Sequence, residues 1–327
     1  MNSGSTTLEH AIDARGLVRR FGEKVAVDDV DLTVGKGEIY GFLGPNGAGK
    51  STTVRMLTTL LKPTMGTAMV AGFDIINSAD EVRLRIGVAL QDAALDPKQS
   101  GRELLDMQGR LYGLNPAERS SRINYLIDIV NIGDAIDDRI KTYSGGMKRR
   151  LDLAAALVHQ PEVLFLDEPT SGLDPVSRAT VWEEVRHLNV HLGMTILLTT
   201  QYLEEADALA HRVGIIAKGK LVAEGTPAEL KRMVGADVII ARVPLSEIGR
   251  VPEALSKIAE INHIETRQDE VIISAARGAA TISPVAVALS EAGISVSDLT
   301  LRTPSLDDVF LQTTGERINS ADEMPTS

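Results

Sequence analysis

Gly44-Pro45-Asn46-Gly47-Ala48-Gly49-Lys50-Ser51 is the stretch from which the rest of the chain can be read. It has the form G-x-x-x-x-G-K-[ST]. An apolar run, Ile39 to Leu43, leads into it, and a helical pattern from about Gly49 to Leu61 leads out. Glycines let the backbone curl so that successive N–H groups point inward at an anion, and the start of the following helix adds positive dipole. Lys50 can reach the β- and γ-phosphates of a nucleotide, and the Ser51 hydroxyl, next to Thr52, can ligate Mg2+. A glycine-rich turn with an accidental Lys-Ser would not need both a strand and a helix on its flanks.

Upstream, Ile12 to Val34 carries short β-type runs, with Val30, Leu32 and Val34 alternating before a Gly35-Lys36-Gly37 turn. Downstream, residues of about 95–160 read as helical. Ser100 and Glu103 have capping-box spacing, followed by a face of Leu104, Leu105, Gln108, Leu111 and Tyr112. Asn115-Pro116 opens another helix with Ile123, Leu126, Ile127 and Val130 inward. Asp174-Pro175 caps a long helix with Val181, Val185, Leu188 and Leu192 on one side. The strand Ile196–Thr199 and a hairpin at Lys218-Gly219 follow.

The strand Val163 to Leu166 ends at Asp167-Glu168. In an open parallel sheet, ligands bind outside the C-terminal ends of strands. Asp167 is therefore placed to hold the Mg2+ shell, and Glu168 to act as base for a water attacking the γ-phosphate. Alone, such a pair could simply cap the next turn. Ser144-Gly145-Gly146-Met147 opens a further helix and again offers a hydroxyl and free amides at a positive helix end. That is a second phosphate-binding device where one nucleotide needs one, although an ordinary helix cap would use the same residues.

Composition excludes several classes. With 34 basic and 45 acidic side chains the formal net charge is −11, the wrong sign for a protein that tracks nucleic acid. Lys148-Arg149-Arg150, early in the helix opened by Ser144–Met147, is the compact basic cluster there, and it reads as a solvated face or local ion pairs. The chain has no cysteine, which rules out disulfides and thiolate metal sites and fits a reducing cytoplasm. No apolar run approaches membrane-spanning length, and the N-terminus lacks the regions of a secretory signal. The six histidines show no metal-ligand spacing. Domains are expected at 10–232 and 236–315, with disordered tails at 1–9 and 316–327. In the second domain the order strand, helix, hairpin (turning at Gln268-Asp269-Glu270), helix, strand suits a small ferredoxin-like α+β fold.

Taken together, these motifs resemble the ATP-binding subunit of an ABC transporter, over roughly residues 12–230. The Walker A motif is Gly44–Ser51, the Q-loop glutamine is Gln91, and the signature is Tyr143–Leu157, YSGGMKRRLDLAAAL. Walker B is Val163–Glu168, and the D-loop is Ser171–Asp174. The resemblance implies an α/β phosphate-loop NTPase fold with a helical subdomain, and a head-to-tail dimer. Each ATP would lie between one subunit's Walker A and the other's Ser144, Gly145 and Gly146, with Asp174 nearby. Phe21 stands where the family places an aromatic against adenine; an ordinary core aromatic is the other reading. Gln91 would contact Mg2+ or the attacking water. Asp92–Gln99 would border the groove that receives a separate transmembrane permease subunit.

The family's switch histidine is Gln201 here, in TTQYLEEAD, Thr199–Asp207. A Gln amide donates a hydrogen bond to the γ-phosphate but relays no proton, so base duty falls to Glu168. That string, with TPSLDDVFL at Thr303–Leu311, is similar to daunorubicin-resistance-type drug-exporter ATPases. The expected protein is an Mg2+-dependent ATPase, a homodimer at the cytoplasmic face of the cell membrane, energising an exporter. A soluble ABC ATPase acting on ribosomes or DNA is the competing class, but it usually carries two ATPase halves or a long coiled-coil insertion. A regulatory ATP-binding subunit without turnover is a third. Gln201→His is predicted to leave ATP turnover equal or higher; a large loss in phosphate release would show a site tuned around glutamine.

Overall fold

Strands β1 (His10–Phe21) and β2 (Lys24–Gly35) form an antiparallel hairpin, turning through Gly22 and Glu23. After the turn at Gly37 come β3 (Ile39–Leu43) and helix α1 (Lys50–Leu57). The chain continues through β4 (Met65–Val70), β5 (Phe73–Asp74), α2 (Ala79–Arg83) and β6 (Ile86–Ala89). The computed structural model describes residues 10–90, 95–235, 237–267 and 269–315. Gln91, Asp92–Ala94, Gln268 and the two expected tails therefore lie outside the described residues.

Three longer helices follow: α3 (Gly101–Leu111), α4 (Pro116–Ile129) and α5 (Gly145–Leu157). The first two open with full capping boxes, Ser100 with Glu103 and Asn115 with Glu118. Each satisfies two backbone donors at a helix start that would otherwise be open. Leu105, Leu126 and Leu151 pack between the three helices without exposure, each burial contributing about 2 kcal/mol. Next come β7 (Val163–Asp167), α6 (Pro175–Leu192), β8 (Thr195–Thr200), α7 (Leu203–Leu209), β9 (Arg212–Ala217) and β10 (Lys220–Gly225).

Two sheets result. One is antiparallel, in the order β2-β1-β4-β5. The other has the order β10-β9-β3-β8-β7-β6, parallel except for the edge strand β10. Every residue of β3, β7 and β8 is buried, as expected of a parallel sheet covered on both faces. Their C-terminal ends, Leu43, Asp167 and Thr200, therefore come out side by side. Among the described residues no helix is long and apolar enough to cross a membrane.

The chain divides into two compact units, the second beginning at Ala228. Helix α8 (Pro227–Val234) leads to β11 (Asp237–Arg242), α9 (Val251–Leu255), β12 (Ile261–Arg267), β13 (Glu270–Ala275), α10 (Gly278–Glu291), β14 (Asp298–Arg302) and α11 (Leu306–Thr314). The sheet is antiparallel throughout, in the order β12-β13-β11-β14. That is the ferredoxin-like arrangement, with α11 added at its end. Ile239, Val271 and Ile273 of the sheet pack on Val251, Leu255, Val285 and Leu289 of the helices.

Three local expectations need correction. Helix α1 ends at Leu57, four residues before Leu61. The Thr58 hydroxyl bonds back to Val54 O at 2.8 Å, and Thr59 turns left-handed at φ 64°. Leu111 and Leu192 are exposed at 74% and 41%, each being the last residue of its helix, at the end of the apolar stripe.

Glu184 of α6 is buried, and neither carboxylate oxygen has a hydrogen-bond partner among the described residues. Burial raises its pKa from 4.5 to about 8. The folded chain thus keeps a proton that the unfolded chain releases above its ordinary value, so stability falls as pH rises through this window. Glu184→Gln cannot lose that proton. Its thermal midpoint is predicted to gain on wild type by several degrees between pH 5 and pH 8; a pH-independent difference would contradict this.

Candidate functional site

The phosphate-type loop leaves β3 at its C-terminal end and enters α1. Gly44 cannot be replaced without collision, because a Cβ there would stand 2.4 Å from Ile216 O. Gly49, the residue before α1, has φ 113°, and its Cβ would meet Ala26 O at 2.6 Å. Backbone therefore approaches backbone where only glycine fits. Asn46 and Gly47 are exposed at the loop's tip, Pro45 is half-buried, and Ala48 and Lys50 are buried. Ser51 and Thr52 are half-buried in the first turn of α1.

The Lys50 ammonium is folded into this loop. It donates to Gly44 O at 2.6 Å and Pro45 O at 3.1 Å, and stands 3.3 Å from Glu168 Oε1. Burial lowers its pKa, and the Glu168 carboxylate opposes that shift. A buried cation so placed can exchange these oxygens for phosphate oxygens without first crossing bulk water.

Asp167 closes β7 beside Thr199 of β8. Its Oδ1 accepts from Ser51 Oγ at 3.1 Å and from Thr199 Oγ1 at 2.5 Å. A hydroxyl and a buried carboxylate converging in this way are hard oxygen donors of the kind Mg2+ takes, with phosphate and water oxygens completing its shell. Glu168 follows at φ 50°, left-handed for a residue with a side chain. Its N–H bonds to Thr199 O and Oγ1, both at 3.1 Å. The structure thus brings Gly44, Lys50, Ser51, Asp167 and Glu168 together. Gln201 is half-buried just past β8, and Gly44 N donates to the carbonyl of its neighbour Thr200 at 3.1 Å.

A second cluster forms apart from the first. Ser144 caps α5, its Oγ accepting from Met147 N at 3.2 Å. Asp174 caps α6 by accepting from Val176 N and Ser177 N, at 3.1 and 3.0 Å. The Ser177 hydroxyl donates to Asp174 at 2.6 Å and holds its carboxyl below the ordinary range. A Cβ on Gly146 would lie 3.3 Å from Ser177 Oγ, and one on Gly145 3.8 Å from Leu173, so the two caps are neighbours. Among the described residues, Ser144, Gly145 and Gly146 make no hydrogen bond to Gly44–Ser51. Phe21, at the end of β1, is 47% exposed, with the Arg19 guanidinium 4.5 Å above its ring. It is not a core aromatic.

Two polar residues escaped the sequence reading. Arg149, taken there with its neighbours as a solvated face or local ion pairs, is half-buried; it does pair with Asp152, but it also donates to Leu90 O, Asp167 O and Pro169 O. Glu205 has no exposure and accepts from Thr170 Oγ1 at 2.8 Å and Trp182 Nε1 at 3.0 Å. Burial raises its pKa against the Thr200, Thr170 and Trp182 donors. The signal that could have found it is the second acid of Glu204-Glu205, whose place on α7 turns it inward.

A family model for ABC transporters matches residues 27–171. A model for the C-terminal domain of DrrA1-3-like ATP-binding proteins matches residues 225–314. The chain is 47% identical over 308 residues to the daunorubicin resistance ATP-binding protein DrrA3 of Streptomyces coeruleorubidus, covering 94% of this chain and 96% of that one. It is 35% identical over 310 residues to the linearmycin resistance ATP-binding protein LnrL of Bacillus subtilis, covering 94% and 99%. A solved ATP-binding subunit of an ABC transporter matches with a TM-score of 0.62 at 26% identity, over 68% of this chain and 92% of that one. ABC ATP-binding subunits bind ATP, dimerise and work with membrane permease subunits. Identity of this extent along nearly the whole length makes the chain a member of the ABC transporter ATP-binding subunits, of the daunorubicin-resistance type, and an ATPase.

Proposed function

We propose that this ATPase energises a membrane exporter of drugs, antibiotics or other hydrophobic compounds, working as a homodimer on the cytoplasmic face beside a separate permease. The resistance proteins that it resembles over nearly their full length support the cargo class. The observation that carries the dimer is the separation of two phosphate-binding ends. Gly44–Ser51 and Ser144–Gly146 each offer amides and a hydroxyl, yet make no hydrogen bond to one another within one chain. A head-to-tail pair would let each ATP lie between one copy's Gly44–Ser51 and the other's Ser144–Gly146, with Asp174 alongside.

In that site the Lys50 ammonium leaves Glu168 and the loop carbonyls for the β- and γ-phosphates. Glu168 then takes the proton of an attacking water. Ser51 and Asp167 would hold Mg2+, together with Gln91, and the ion would neutralise charge on the phosphate oxygens. Gln201 donates to the γ-phosphate and senses its loss. Phe21, backed by Arg19, offers a face on which adenine can stack. Nucleotide closes the pair, hydrolysis reopens it, and the permease turns that cycle into transport.

Glu168→Gln is predicted to lower turnover at saturating Mg-ATP by at least 100-fold while an ATP-bound dimer survives gel filtration. Near-wild-type phosphate release would remove Glu168 as base. Lys50→Ala is predicted to weaken nucleotide binding or abolish hydrolysis, and unchanged kinetics would contradict the phosphate role. For transport, cells producing the chain with its permease should retain less of a fluorescent hydrophobic drug than cells producing the Glu168→Gln variant. Equal retention, or recovery of the chain with ribosomes rather than with membranes, would overturn the exporter reading.

A further inference from the structure

We infer that Arg149 is a positioning residue for hydrolysis: from α5 its half-buried guanidinium grips the backbone on both sides of Glu168 and so sets where that carboxylate stands. The inference rests on Glu168 being the base.

Three carbonyls define the grip. Arg149 Nη2 donates to Asp167 O at 3.1 Å and Nε to Pro169 O at 3.0 Å, which brackets Glu168. Nη1 donates to Leu90 O at 2.6 Å, just past the end of β6. Asp152 Oδ2, 3.5 Å from Nη1, is its ion-pair partner, and the side chains are 11% and 15% exposed. Parallel strands leave carbonyls without ladder partners where they end. A planar fork of five donors can collect three of them at once, which an ammonium on a flexible stem cannot do.

The need for a grip lies in the conformation of Glu168. A non-glycine residue at φ 50° is disfavoured and persists only where its surroundings hold it. Thr199 holds the Glu168 N–H from the β8 side. Arg149 holds the carbonyls before and after it. Without that second hold the turn through Glu168 rests on the Thr199 bonds and on Ser171 N–H donating to Glu168 O at 3.2 Å, which leaves more play for the carboxylate beside the Lys50 ammonium, now 3.3 Å distant. The phosphate loop itself, built from Gly44, Gly49 and Lys50, makes no hydrogen bond to Arg149. Loss of Arg149 should therefore change the chemical step and leave ATP binding in place. The fork also lies on the helix that begins at Ser144, so a displacement of that helix start reaches the base through one rigid segment.

The test uses the full-length chain as wild type, Arg149→Met, Arg149→Lys, Glu168→Gln and the Arg149→Met/Glu168→Gln double variant. Steady-state Mg-ATPase, binding of a non-hydrolysable ATP analogue and thermal midpoint are measured for each. Arg149→Met is expected to lower kcat about 30-fold or more with KM and analogue affinity within about threefold, a 30-fold loss being about 2 kcal/mol. Arg149→Lys should recover part of the loss, and the double variant should turn over no more slowly than Glu168→Gln alone. The inference is overturned if Arg149→Met keeps wild-type kcat, if affinity and kcat fall together, or if the two losses multiply. Should Arg149→Met not fold, Arg149→Lys decides: a lowered kcat at a wild-type thermal midpoint supports the grip, and an unchanged kcat ends it. Full turnover in Glu168→Gln would instead remove the base assignment, whereas a normal Arg149→Met beside an inactive Glu168→Gln removes the grip alone.

Discussion

A buried ammonium, that of Lys50, is the constraint on which the ATPase unit depends. At 3% exposure it has given up its water for two loop carbonyls and the Glu168 carboxylate. Leaving such a charge unpaired would cost several kcal/mol, so the loop, the strand that ends just before Glu168 and the helix carrying Lys50 must stay in register. The parallel sheet does this by burying β3, β7 and β8 completely and ending them together. In the proposed site, the same arrangement that stabilises the fold also keeps the Lys50 cation and the Glu168 carboxylate beside the phosphates. Stability and chemistry share one ion pair.

Around that pair side chains join the strand ends in addition to the backbone bonds between them. Thr199 links β8 to Asp167 and Glu168, Ser51 links α1 to Asp167, and Arg149 links α5 to the ends of β6 and β7. Glu205 links the segment after Glu168 to α6 through Thr170 and Trp182. A change of charge at the phosphates therefore has direct polar routes into the helices that start at Ser144 and Asp174. Those two starts lie beside each other, and among the described residues Ser144, Gly145 and Gly146 make no hydrogen bond to their own chain's phosphate loop.

Much of this was legible in the sequence because it is local. The capping box at Ser100, the Asn115-Pro116 helix start, the Asp174-Pro175 cap, the three buried strand runs and the hairpin at Lys218-Gly219 all depend on residues a few positions apart. The ferredoxin-like order of the second unit came from the same kind of pattern. Long-range features were not legible. The pairing of β1 with β4 joins residues as distant as Ile12 and Val70 with no motif to announce it. Arg149 looked solvated because it sits between Lys148 and Arg150, and only its rotation about α5 turns it inward. Helix α1 stops early because Thr58 bonds back to Val54 O and Thr59 turns left-handed. Gln91, assigned to the site by resemblance, falls outside the described residues.

The central claim is that two chains build each ATP site head to tail, and the absence of cysteine makes it directly measurable. Asn46→Cys and Ser144→Cys chains would be mixed and treated with a short bismaleimide, with and without Mg-ATP. The account predicts a covalent dimer joining the two different variants, formed only when Mg-ATP is present. No such dimer although both thiols react freely with a monofunctional maleimide, or equal yield without nucleotide, would contradict it.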